Sequence, residues 1–503
     1  MNKVLKKLHT PKWLFLVLLL VLVLRIPSFF EPYSYGDEMI YLTLGEAIRS
    51  GVPLYQGIHD NKPPLVYVLA AMAGSLFWFK AILAVWSLVT VFLFWKLSET
   101  LFPKEKRPQN AKLQKVATII FAIFTTIPLL EGNIVNAELF MIGPIIAAFL
   151  ILFSKKLNFK NIFAAGALFS VATLFKVPAA FDMPAIIFLW IVAIKKDRKS
   201  LRELLLNTVY LLAGFITPIL ATMFWYTLRG ALPEYLAAAF LQNLGYLSTW
   251  HPGLTKEPFF VRNLSLLIRG SIVALGLLIL FSARKRLSKN FIFLTGWLAL
   301  TLFAVTLSER PYPHYLIQSV APISFLAAIL FTQKNIEQIL VIIPLTIAFV
   351  VPTYFKFWRY PITSYYVRFI KFASRQLSKE AYMSSFDNKV VRNYKIASFV
   401  IRSTRAGDKI FVWGDDSVIY ALTRRLPPLK YVADYHIADF SSEGEVIAAL
   451  KKDMPELIIS LPGAAPFPAL RTFLKSNYGL TETIDQAEIW KLLNPRVRAL
   501  IAP

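Results

Sequence analysis

Asp37 and Glu38 stand side by side in a hydrophilic stretch of an otherwise apolar chain, and Asp60-Asn61-Lys62-Pro63-Pro64 follows in the same stretch. A carboxylate can take a proton from a hydroxyl, and a lysine can neutralise a departing phosphate. Ionisable groups beside a bilayer are costly to desolvate, which makes them functional candidates. Lys62 precedes two prolines, which bias it towards extended geometry and suit the first turn of a following helix. Its direction at the membrane surface is therefore fixed. The plainer alternatives are a helix cap for Asp37 and an interfacial snorkelling lysine for Lys62.

Further candidates lie in later hydrophilic loops. Glu138 ends the stretch Glu131-Gly132-Asn133-Ile134-Val135-Asn136-Ala137-Glu138 at the start of a helix. It can be a metal ligand, a substrate contact or an acid stabilised by the helix dipole. Lys176 is either a phosphate contact or the mark of a helix end. Tyr246, Trp250 and His251 in the loop 229–264 are an interfacial belt or a sugar-stacking platform. His251 alone is no metal signature. In Ser308-Glu309-Arg310-Pro311-Tyr312-Pro313-His314-Tyr315, Arg310 can bind a phosphate bidentately and His314 and Tyr315 can add hydrogen bonds. The alternative there is an ordinary prolyl turn.

The elements that must hold these groups are membrane helices. The chain has 503 residues, of which 56% are hydrophobic, and a mean hydropathy of +0.54. Apolar runs recur to about residue 354, and the rest is mixed. This divides the chain into a membrane domain (1–355), a connector (356–379) and a small α/β domain (380–503). The net charge of +25 sits in short loops between apolar runs, the positive-inside pattern and not a nucleic-acid footprint. With no cysteine, disulfides and thiolate metal sites are excluded.

Basic clusters at 3–12, 96–115, 155–160, 195–202 and 284–289 belong inside; the acidic or mixed loops 27–62, 131–138, 176–182, 229–264 and 308–314 belong outside. This parity requires 64–96 to cross once. As a helix, 64–79 spans about 24 Å, short of the roughly 30 Å core. It is expected to lie at the outer face, with the crossing at 80–96. The scheme has 11 crossings, at 13–27, 80–96, 116–130, 138–153, 162–176, 178–194, 206–228, 265–283, 291–307, 315–331 and 339–355. The first helix is uncleaved, the N-terminus is cytoplasmic, and residues 39–49 form a second surface helix. All the candidate groups then share the outer face.

In the outer domain, strands are expected at 409–413, 430–433, 456–461 and 488–492, with helices at 417–425, 443–452 and 467–478. The alternation predicts a largely parallel sheet. Gly414-Asp415-Asp416 follows the first strand, where open sheets bind ligands. The domain positions an acceptor or is structural.

Asp37-Glu38 followed by Asp60-x-Lys62-Pro63-Pro64-Leu65-x-Tyr67 resembles the lipid-linked-sugar glycosyltransferases of the membrane C-type (GT-C) fold. The likeness is to relatives of protein O-mannosyltransferase and of the aminoarabinose transferase that modifies lipid A. His251 with Pro258-Phe259-Phe260, and Tyr315 with Pro322, resemble further elements of that family. The resemblance implies a polytopic helical fold with surface helices in the first outer loop and an accessory outer domain. It also implies transfer from a polyprenyl-phosphate sugar to a hydroxyl of a protein, lipid or glycan, with inversion. Asp37, with Glu38 beside it, falls at the catalytic acid/base position. Lys62 and Tyr315 fall at positions that hold the lipid phosphate, joined by Arg310, for which Arg262 competes, and by His314. Asp60, Glu138 and His251 remain for acceptor or metal contacts; a divalent cation between acids is an open option with no assigned ligands. The natural place is a prokaryotic plasma membrane. The competing readings are a transporter or lipid-linked-sugar flippase without covalent transfer, and a noncatalytic assembly protein.

Overall fold

The computed structural model describes residues 10–195, 197–245, 258–308 and 310–501. Among them, seven helices are long and apolar enough to cross a membrane: Lys12–Phe30, Leu76–Leu101, Ala137–Ser154, Arg198–Leu228, Leu264–Ser282, Pro313–Thr332 and Ile336–Tyr354. Shorter apolar helices fill the gaps at Phe159–Phe175, Val177–Ala193, Leu232–Leu241 and Lys289–Val305. The body is a polytopic helical membrane protein, and ten of these segments coincide with expected crossings. The remaining expected crossing, 116–130, corresponds to the helix Gln109–Phe124.

Burial sorts the helices into a core and a jacket. In Ala137–Ser154 and Pro313–Thr332, 72% and 67% of the apolar window is buried, against 6% in Leu264–Ser282. The first two therefore form the centre of the bundle, and the last turns its apolar side chains outward, as a lipid-facing helix does. Phe159–Phe175 and Arg198–Leu228 cross where Gly166 meets Gly214, and a Cβ on either would overlap the other helix's backbone. Small residues permit this approach in the absence of a hydrophobic drive between membrane helices.

The stretch between the first two long apolar helices builds two short helices, Gly36–Arg49 and Leu65–Ala73. The nine residues of the second rise about 14 Å, too little to cross. It ends six residues, nearly two turns, earlier than the sequence suggested. Gly74 caps it in the left-handed region at φ 66°, and Ser75 caps the next helix, Leu76–Leu101, accepting from the Trp78 amide. The expected break at 79–80 is thus corrected to 74–75, and Lys80 lies inside the crossing. Continuous hydropathy over 64–96 hid the glycine–serine punctuation. The helix Leu232–Leu241, with a π-helical turn at Ala237–Leu241, was not anticipated either.

Beyond the last crossing come the helices Ile362–Ala373, Lys379–Ser384 and Lys389–Ser403, then a four-stranded sheet. Its strands are β1 (Ile410–Trp413), β2 (Leu457–Ser460), β3 (Tyr478–Ile484) and β4 (Ala487–Leu492), in spatial order β1-β2-β4-β3. β1 and β2 are parallel; β2–β4 and β3–β4 are antiparallel. The sheet is mixed, which corrects the expectation of a largely parallel one. No strand forms at 430–433; that stretch leads into the helix Asp434–Phe440. One face of the sheet packs on Val446, Leu450, Phe467 and Leu474. On the other, Ile410, Val412, Ile396 and Val418 join the same continuous core as the membrane helices.

Candidate active site

A cavity of about 950 Å³ opens between one end of the membrane helices and the C-terminal domain. Asp37, Asp60, Lys62, Glu138, Lys176, Arg310, His314 and Tyr315 line it from the membrane side. Asp415, Asp416, Tyr435, His436 and Asp439 line it from the C-terminal domain. Residues far apart in sequence are thus brought to one chamber, with paired acids and cations on one wall and mostly acids on the other.

Asp37 lies in the first turn of Gly36–Arg49, where the helix dipole favours a carboxylate. Its Oδ2 accepts from Tyr41 Oη one turn on at 3.1 Å and lies 3.6 Å from Lys62 Nζ. Asp60 flanks Lys62 on the other side at 3.8 Å and accepts from Tyr67 Oη at 2.7 Å. The lysine's backbone is fixed as firmly. Its N–H donates to Tyr67 Oη at 3.1 Å, and its carbonyl accepts from Tyr55 Oη at 2.8 Å. Burial alone would raise both carboxyls. Lys62, with His314 and Tyr41 for Asp37 and with His436 and Tyr67 for Asp60, instead holds both below the usual carboxylate range. Asp37 is therefore an ionised carboxylate lining the chamber.

Glu38 points the other way. It is 1% exposed, does not line the cavity, and pairs with Lys80 at 2.6 Å while accepting from the Val135 N–H at 2.6 Å. Lys80 also pairs with Glu31 at 2.8 Å, and Glu31 accepts from Asn133 at 2.7 Å and from Tyr365 at 2.5 Å. Burial, with Glu31 nearby, pushes the Glu38 carboxyl up to about 7. Adjacent residues on a helix lie about 100° apart, which is why two neighbouring acids reach different surroundings.

A second group of charges faces Asp37 across the chamber. Glu138, in the first turn of Ala137–Ser154, is ion-paired with Lys176, whose Nζ lies 3.6 Å from the centre of the Tyr315 ring. His314 Nδ1 contacts Glu131, which also accepts from Tyr35 Oη at 2.9 Å; His314 Nε2 lies 3.7 Å from Glu138. Arg310 is exposed on the rim. His251, Tyr246 and Trp250 lie outside the described residues, and Arg262 belongs to the short helix Phe259–Arg262.

The acids do not fit a divalent cation as drawn. Among the described residues, no three His, Asp or Glu side chains converge as metal ligands. The cation between Asp37 and Asp60 is the Lys62 ammonium itself.

Sequence reasoning missed Glu131, Lys80 and His436. Glu131 and Lys80 had a signal: each is a charge abutting or entering an apolar run, expensive unless paired. His436 had none, because its place depends on how the outer domain docks.

No protein-family model matches the sequence, and none of the curated proteins does. Solved structures do match. The crystal structure of ArnT from Cupriavidus metallidurans bound to undecaprenyl phosphate superposes with a TM-score of 0.56 at 13% identity, covering 96% of this chain and 98% of that one. ArnT in the apo state gives 0.54 at 13% identity, covering 98% and 99%. Over nearly its whole length, the chain has the fold of ArnT, the polytopic GT-C architecture with its soluble domain.

Proposed function

We propose that this chain is an integral membrane glycosyltransferase that moves a sugar from a polyprenyl-phosphate donor to an acceptor hydroxyl, with inversion, at the outer face of a prokaryotic plasma membrane. In this scheme the N-terminus is cytoplasmic and residues 380–503 form an extracytoplasmic domain. The observation that carries the reading is the Asp37–Lys62 pair, 3.6 Å apart in a chamber lined by both membrane helices and outer domain. ArnT, with the same fold, was crystallised with undecaprenyl phosphate, the kind of lipid such a donor would leave behind.

Asp37 takes the proton of the acceptor hydroxyl as its oxygen attacks the anomeric carbon. The bond from that carbon to the phosphate oxygen breaks, and its electrons leave with the lipid phosphate. Lys62 neutralises the charge that develops there, and Tyr315 and Arg310, which line the same chamber, add to the phosphate's binding. His314 and Glu138 hold the opposite wall, with Lys176 as a further cation within reach. Glu38 takes no part in the chemistry and anchors the helix that carries Asp37.

The test is transfer of labelled sugar from a panel of polyprenyl-phosphate donors to membrane acceptors. Asp37→Asn is expected to lower turnover by about 10²–10⁴, the usual worth of a general base, with donor binding retained. Undiminished transfer in that variant would sink the assignment. Transport of a lipid-linked sugar across liposomes without covalent transfer would establish the flippase alternative instead.

A further inference from the structure

Asp60 is 2% exposed, and both of its oxygens are occupied. Oδ2 accepts from Tyr67 Oη and faces Lys62 Nζ at 3.8 Å; Oδ1 accepts from the Asn61 N–H at 2.8 Å. The remaining approach to Oδ1 is taken by His436 Nε2 at 3.5 Å, from a helix of the outer domain. His436 is itself 2% exposed, and its Nδ1 has no hydrogen-bond partner. Nε2 is the ring nitrogen that faces the carboxylate, and a proton there directs the ring's donor at Asp60.

The rest of the segment reinforces this approach. The His59 N–H donates to the Lys430 carbonyl at 2.8 Å. The His59 ring packs edge-on against Tyr431 and Phe440, each with centroids 5.4 Å away. From the membrane side, Asn243 Nδ2 donates to the Asn61 carbonyl at 2.8 Å. Residues 59–62 are thus held between the membrane body and residues 430–440.

We propose that His436 is a positioning residue for Lys62, acting through Asp60, so that the phosphate-binding half of the site is complete only with the outer domain docked. The proposal rests on the reading of Lys62 as the group that meets the donor phosphate. With His436 absent, Oδ1 loses its outer partner while remaining buried. Asp60 then turns to satisfy it, and Lys62 loses the anion that holds its ammonium in line with Asp37.

The experiment measures undecaprenyl phosphate binding to the detergent-purified full chain, with the thermal midpoint and the donor KM and kcat read alongside. Lys62→Gln tests the underlying reading and should weaken binding most. His436→Leu should weaken it by about 5- to 10-fold, the size of one ordinary hydrogen bond, and raise donor KM more than it lowers kcat. His436→Gln, whose amide can still donate to Asp60, should restore most of the affinity. His436→Asn, too short to reach, should behave like Leu and serves if the Leu variant does not fold. Unchanged binding in His436→Leu or His436→Asn, with Lys62→Gln impaired, overturns the inference alone. So does equal loss in the Gln and Leu variants, which would mark a packing role. Unchanged binding in Lys62→Gln overturns the reading beneath it.

Discussion

Two acid–lysine–acid triads lie within a few residues of each other in sequence and do opposite things. Lys62 sits between Asp37 and Asp60 at 3.6 and 3.8 Å, with 18% of the lysine and 31% of the Asp37 side chain exposed. Lys80 sits between Glu31 and Glu38 at 2.8 and 2.6 Å, with none of the three more than 4% exposed. The charges are the same in kind. The first triad is loose, and its lysine and Asp37 keep exposed surface in the chamber. The second is tight and sealed, so its charges are spent on each other. Composition does not distinguish a reactive cluster from a structural one; access and spacing do.

The largest effect should come from breaking the sealed triad. Lys80→Met leaves Glu31 and Glu38 buried without a counter-charge, a loss of about 3–5 kcal/mol for a broken buried pair. The thermal midpoint in detergent should fall steeply, or the protein should fail to accumulate. Removing a charge from the open triad by Asp37→Asn should cost at most about 1 kcal/mol of stability, as for partly exposed pairs, while turnover collapses. Comparable stability losses in the two variants would erase the distinction.

The triads should also respond to pH with opposite sign. Burial pushes the Glu38 carboxyl from its ordinary 4.5 up to about 7, so between these values the folded protein holds more proton than the unfolded chain. Its contribution to stability is full below about 4.5 and is lost as pH rises through about 7. Asp37 and Asp60 are held below their ordinary 3.8, so their contributions are full above that value and lost as pH falls below it. Glu38→Gln should therefore flatten the thermal-midpoint profile between pH 4.5 and 7, and Asp60→Asn should flatten only its acid limb. A Glu38→Gln profile parallel to wild type across that window would contradict the sealed environment.

The open triad was largely legible in the sequence because its members sit within a short span and carry local signals: Asp37 at a helix start, and Lys62 before two prolines. The sealed triad was not, since Lys80 meets Glu31 and Glu38 only after the chain has turned twice, and it lay in an unbroken apolar run. The run of apolar helices was readable because hydropathy acts over whole segments. The outer domain was read less well. β3 and β4 are joined through Asp485 and Gln486, both in the left-handed region at φ 46° and 69°. That geometry usually announces itself as Asn-Gly or Asp-Gly; here the second residue is glutamine, so the hairpin left no signal and the sheet was taken for parallel. His436 was invisible for a further reason. Its partner lies in the first outer loop, and no local pattern links the two.

The smallest effect separates the two halves of the open triad. Tyr67 Oη donates to Asp60 and accepts from the Lys62 N–H, whereas Tyr41 Oη donates to Asp37. Each phenylalanine substitution keeps the ring and removes one hydroxyl, a change of about 1–2 kcal/mol for a hydrogen bond to a carboxylate. Tyr67→Phe loosens Lys62, the proposed phosphate ligand, so donor KM should rise several-fold with kcat little changed. Tyr41→Phe leaves the lysine's backbone held and removes a hydrogen bond that keeps Asp37 ionised and oriented. Its loss should therefore appear in kcat. If both variants shift KM alone, Asp37 belongs to the binding of the donor and the proton acceptor must be sought among the acids on the opposite wall, with Glu138 the first to replace.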